Sequence, residues 1–185
     1  MAAAQLPWRI ALLRAVNLGP HNKAPAAALR SLMTEEGMAE GRTLLTSGNL
    51  VFRDSREPAE LEALLESALQ ARLGLRTEVM VRSGEGWARL IAANPFADFA
   101  RDDPSHLVLI ALKAAPRPGA VEALRLVIRG PEQAQAGDGV IYMTYPDGIG
   151  TSRLTGAAVD RALGVKGTGR NWNTVLKLAA LTAAA

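Results

Sequence analysis

Apolar positions fall along this chain in two patterns, short unbroken runs and stripes at helical spacing, and their order predicts the fold. Residues 8–14 (WRIALLR) form an unbroken run, which fits a central strand buried on both faces. The following AVNLGPHNKA carries Asn17, Gly19, Pro20 and Asn22 and reads as loop, after which Pro25 stands where a first helical turn favours proline. Leu29, Leu32 and Met33 give that helix its buried stripe, and Gly37 is its expected stop. Two β-rich runs, TLLT and NLVF, then flank Ser47 and Gly48, predicting a hairpin with a two-residue loop.

Pro58 opens a second helix. Its Leu61, Leu64, Leu65, Ala68 and Leu69 recur at i, i+3, i+4, i+7 and i+8, and Gly74 follows its end. Residues 75–82 (LRTEVMVR) alternate as a strand. The order is β-α-β-β-α-β, the split βαβ unit of the ferredoxin-like fold.

A connector over 83–104 holds a short helix near 87–93, ended by Asn94-Pro95-Phe96. The pattern then recurs: a strand at 106–112, a helix at 118–127, a hairpin of 132–136 and 140–145 around Gly137-Asp138-Gly139, and a helix at 153–163 stopped by Gly164. A short strand at 165–168 follows, and residues 171–181 close the chain as a helix with Trp172, Val175, Leu176 and Ala179 on one face. The expected class is α+β. Two ferredoxin-like subdomains with antiparallel sheets, 1–82 and 105–185, flank a helical connector, and the second carries the C-terminal helix.

Composition narrows the chemistry. A hydrophobic content of 49% over 185 residues supplies ample core. The net charge is +3 and the pI near 9.7 without any block of like charge, which permits a phosphate or nucleic-acid partner and demands neither. No cysteine is present, so disulfides, thiolate zinc sites and thiol nucleophiles are excluded together. With only His21 and His106 as histidines, no metal centre is expected and no cofactor is implied. MAAAQLPWRI lacks the basic start and apolar core of a signal peptide, and no apolar run reaches the roughly 18 residues of a membrane span. The expected location is cytoplasmic, with no membrane partner.

Topology predicts which polar residues meet. In a split βαβ sheet the first strand lies antiparallel beside the third, so its end shares a sheet edge with the hairpin joining the second and third strands. Arg14, Asn17, Asn22 and Lys23 are thereby brought to Ser47, Gly48 and Asn49. A helix start at Pro25 with Lys23 beside it is an anion site; equally, Asn, Ser and Gly serve turns and Lys23 can be a solvated charge.

A second cluster lies in GTGRNWNTVLKL. Here Arg170 and Lys177 add charge, Asn171 is a natural N-cap partnered by Thr174, Asn173 adds an amide, and Trp172 reads as a core anchor ahead of a base-stacking ring. The Gly148–Arg153 stretch GIGTSR lacks the Lys-Ser/Thr ending of a Walker loop. Asp98, Asp102 and Asp103 form a small acidic group that suits Mg²⁺ or, more simply, an exposed turn. No GxSxG or HExxH occurs, and Ser47 is paired in sequence with no base.

These motifs together, ALLRAVNLGPHNKAPAAALRSLM, LLTSGNLVF, the connector's NPF and above all GTGRNWNTVLKLAAL, resemble the bacterial family of unknown function DUF 1697. The resemblance spans nearly the whole chain. Two positions depart from it: Ala15 stands where the family usually has glycine after Leu-Leu-Arg, and Leu45 where an aromatic is common before SGN. The resemblance implies an α+β fold of paired ferredoxin-like subdomains and raises the weight of the Asn17/Lys23/Ser47/Asn49 edge and of Arg170 to Thr174 as sites. It implies no activity.

The function expected is binding of an anionic ligand, a nucleotide or phosphorylated metabolite, with Lys23 and Arg14 or Arg170 neutralising charge and the asparagines orienting. The alternatives are nucleic-acid binding, for which the strands offer Phe52 and Tyr142 rather than an aromatic-rich motif, and a structural or protein-interaction module whose polar clusters only cap helices.

Overall fold

β1 (Trp8–Leu13) is buried at every one of its 6 positions and lies between two partners, as its unbroken apolar run requires. The computed structural model describes residues 6–17 and 22–183. Gly19, Pro20 and His21, read above as loop, lie outside the described residues. After them come α1 (Ala26–Glu35), β2 (Ala39–Leu44), β3 (Asn49–Arg53), α2 (Pro58–Leu73) and β4 (Val79–Ser83). Two helices, α3 (Gly84–Ala92) and α4 (Ala97–Asp102), precede β5 (Leu107–Leu112), α5 (Ala120–Val127), β6 (Gln133–Gly137), β7 (Val140–Thr144), α6 (Gly156–Leu163), β8 (Gly167–Asn171) and α7 (Trp172–Ala183).

The described residues divide into two compact units, one running to Ala88 and resuming at Leu178, the other covering Arg89–Lys177. In the first, the sheet order is β2-β3-β1-β4 with every pairing antiparallel. Alternate residues of the strands, Ala11, Leu13, Leu50, Phe52, Val79 and Val81, meet the α1 and α2 stripes to form its core. The α2 stripe is the predicted one, with Leu61, Leu65, Ala68 and Leu69 buried and Leu64 packed against them. Gly74 ends it in the left-handed conformation, φ 66°.

The second unit repeats the order as β6-β7-β5-β8, again antiparallel throughout. Both sheets therefore have ferredoxin-like topology, and the fold is mixed α+β with two four-stranded antiparallel sheets.

Several local expectations are corrected. The first hairpin loop covers residues 45–48, because Leu44 pairs with Asn49 and Leu45 leaves the strand at φ 58°. The connector holds a second helix, α4. The last strand is Gly167–Asn171 in place of 165–168; its glycines carry no strand signal, and only pairing to β5 makes it one. On α7 the buried face is Trp172, Val175 and Leu178, whereas Leu176 is 44% exposed.

Candidate functional site

The loop leaving β1 is held by one side chain. Asn17 sits at φ 58°, a conformation asparagine tolerates better than other non-glycine residues. Its own N–H donates to the Asn22 carbonyl at 2.9 Å, and its Oδ1 accepts from the Ala24 N–H at 2.9 Å. Its Nδ2 donates to the carbonyl of Thr46 in the hairpin. A second tie runs from the Leu13 N–H to the Gly48 carbonyl at 2.8 Å. Gly48 is at φ +70°, and a Cβ there would stand 2.5 Å from Val16 Cγ2 and 2.8 Å from Leu13 Cβ, so glycine permits both the turn and the close approach. The exit of β1 and the hairpin are thus neighbours, as the split βαβ topology requires.

Between them opens a cleft of about 390 Å³, lined by Asn17, Lys23, Thr43, Leu45, Thr46 and Asn49 and by Pro25 and Ala26 at the start of α1. The first amides of a helix have no partner inside it. At α1 they receive no side-chain cap, because the cap position is Pro25, and the first turn holds no acid. The positive end of the helix dipole thus meets the cleft with Lys23 on its rim.

Of the other residues expected here, Arg14 and Asn22 do not line the cleft, and Asn49 lines it from a buried position. Arg14 faces Glu78, 3.5 Å away, and does not line the cleft. Asn22 is exposed at φ 57°. Asn49 is 1% exposed; its Nδ2 donates to the Leu44 carbonyl at 2.8 Å and to Ser47 Oγ at 2.9 Å, which braces the hairpin from inside. Sequence reasoning missed Thr43, Leu45 and Thr46. The β-rich run TLLT signals only a strand; Thr43 does lie in β2, whereas the left-handed turn at Leu45 takes Leu45 and Thr46 out of it beside the cleft.

The second cluster belongs to the other unit. Arg170 is buried; its Nη1 donates to Thr168 Oγ1 at 2.8 Å and to the Gly169 carbonyl at 2.9 Å, and burial pulls its pKa down to about 10. Asn171 Oδ1 accepts from both the N–H and the hydroxyl of Thr174, each at 3.0 Å, the predicted N-cap of α7. Asn173 is exposed, and Trp172 is a core ring 6.5 Å from that of Tyr142. In the acidic group Arg101 bonds Asp98 and Asp102, while Asp103 takes Ser105 and His106.

The fold is that of an α+β protein carrying two ferredoxin-like sheets. The family model for a protein of unknown function, DUF1697, matches residues 7–142, and the chain belongs to that family. It is also similar in structure to the conserved bacterial protein SP0830 from Streptococcus pneumoniae: TM-score 0.76 at 18% identity, covering 96% of this chain and 99% of that one. No curated protein matches it. No helix among the described residues is long and apolar enough to cross a membrane.

Proposed function

We propose that the protein binds an anionic small molecule, a nucleotide or phosphorylated metabolite, in the cleft between the β1 exit and the β2-β3 hairpin. The observation that carries this reading is the α1 N-terminus, left without a side-chain cap or a first-turn acid and opening beside Lys23 into about 390 Å³ of space. Backbone N–H groups and a positive dipole end suit phosphate oxygens, and Lys23 adds a point charge on a flexible stem. Asn17 and Asn49 act by building the walls, since their amides bond Thr46, Ala24, Leu44 and Ser47. Leu45, 54% exposed, offers an apolar surface for the uncharged part of such a ligand.

A nucleic-acid reading has less support, because the rings on the strands, Trp8, Phe52 and Tyr142, are only 9%, 0% and 1% exposed, and the Arg53 guanidinium already lies over the Trp8 ring. Thermal-shift titration with inorganic phosphate, nucleotides and phosphosugars tests the proposal. A ligand at 100 times its dissociation constant adds about 2.7 kcal/mol of stability. Absence of any stabilisation across that panel overturns it.

A further inference from the structure

The two units finish their sheets differently at one edge. In the first, the outward N–H groups of edge strand β4 are met by carboxylates of α2: Val79 N–H donates to Glu66 Oε1 and Val81 N–H to Glu62 Oε1, each at 2.8 Å. Glu62 Oε1 also lies 3.8 Å from Arg82 on the same strand. A sheet edge whose donors are covered in this way is closed to other acceptors.

Register aligns the two edges. Val79 and Val81 oppose Leu13 and Ala11 on β1, as Gly167 and Gly169 oppose Leu112 and Ile110 on β5. The Lys113 N–H bond to the Lys166 carbonyl fixes the alternation, so the N–H groups of Gly167 and Gly169 turn away from β5. Gly167 N–H meets Asp160 Oδ1 at 3.2 Å, the counterpart of Glu66. Four residues earlier on the helix, where Glu62 stands in the first unit, α6 has Gly156 at its first position. The carboxylate that would meet Gly169 is missing, and Gly169 is exposed.

A groove of about 260 Å³ lies there, lined by Gly156, Gly169 and Asn171, by the apolar Val108, Ile110 and Ile149, and by Asp160, whose carboxylate is engaged by the Gly167 N–H. Ile149 is 50% exposed on its rim. Arg170 stands in the register position of Arg82, its Nη1 held 2.9 Å from the Gly169 carbonyl at the same edge.

We infer that this groove binds a small apolar monocarboxylate. Its carboxylate accepts from the Gly169 N–H beside Arg170, as Glu62 does from Val81 beside Arg82, and its hydrocarbon part lies against Val108, Ile110 and Ile149. The inference is independent of the cleft in the first unit and stands if that reading fails. Charge-assisted acceptance from a backbone N–H supplies direction, and the volume limits the apolar part to a short chain or one ring.

The test is a titration of the ¹⁵N-labelled full chain with hexanoate, and separately with hexanol, followed by amide shifts. Millimolar hexanoate is expected to move the Gly169 amide saturably, and hexanol is not. Gly156→Glu restores the missing carboxylate into open space, since a Cβ at Gly156 meets nothing within 4 Å. It is expected to abolish the hexanoate response while keeping or raising the melting temperature; Gly156→Ala is expected to keep the response. No saturable shift at Gly169, an equal response to hexanol, or an undiminished response in folded Gly156→Glu overturns the inference.

Discussion

Asn17 fastens Thr46 across 29 residues of sequence, its Nδ2 donating to the Thr46 carbonyl while its Oδ1 receives the Ala24 N–H. One side chain therefore sets both the path of the chain into α1 and the position of the hairpin opposite, and the cleft between them keeps its width through that bond.

Asn17→Ala removes both bonds and leaves a methyl-bearing residue at φ 58°. Unsatisfied partners cost about 1–3 kcal/mol each when buried and less here, where water reaches part of the site. Urea denaturation is expected to show a loss within that range, with phosphate stabilisation of the variant reduced or gone.

Ala15→Gly is expected to stabilise the protein. Ala15 sits at φ 52°, in a region that costs an L-residue roughly 1–2 kcal/mol, and the entropy glycine loses on folding offsets roughly 0.5–1 kcal/mol of the relief. A rise in the urea midpoint without change in slope checks it. Gly48→Ala should move oppositely and further, because its Cβ would collide with Val16 and Leu13.

Lys23→Gln is expected to leave stability within about 0.5 kcal/mol, as befits an exposed side chain, and to weaken phosphate binding. Raising salt from low to physiological strength should weaken the wild-type protein's binding and change the variant's less.

Acid stability should depend on Asp54. Burial pushes its carboxyl up, but the Arg56 side-chain hydrogen bond, the Arg56 N–H and the guanidinium charge outweigh this and hold it below the ordinary carboxylate range. The folded value lies below the unfolded one of about 3.9, so the contribution is complete above that pH and drains away as pH falls through the folded value. Asp54→Asn is expected to lower stability at pH 7 and to flatten the acid limb of a stability-against-pH curve.

Glu66→Ala uncovers the Val79 N–H at the β4 edge and is expected to cost about 1–3 kcal/mol by thermal or urea unfolding. The corresponding change at Asp160, Asp160→Ala, should cost less, its bond to Gly167 being longer at 3.2 Å.

Much of this molecule is legible in its sequence. The unbroken run of β1 marked a central strand, the α2 stripe and Gly74 marked a helix and its stop, and the repeated element order implied two sheets of one topology. The meeting of Asn17 and Lys23 with the hairpin followed from topology, because the strand order leaves those segments one shared edge. Where apolar period and local dihedral preference disagreed, the reading erred: Leu45 continues the β-rich run yet turns left-handed, and α4, six residues long, is too short to show a period.

Residue order alone, through hydrophobic spacing and helix punctuation, determined most of the elements, their sequence along the chain and hence the ferredoxin-like pairing, because those signals are carried by neighbours within a few turns. Only the tertiary structure decided that glycine-rich 167–171 is a strand, that Arg170 is buried, and that Glu62 and Glu66 cover one sheet edge while Gly156 leaves its counterpart open. Those outcomes depend on which backbone donors meet which acceptors across long separations, and a glycine carries no side chain by which its own position could announce them.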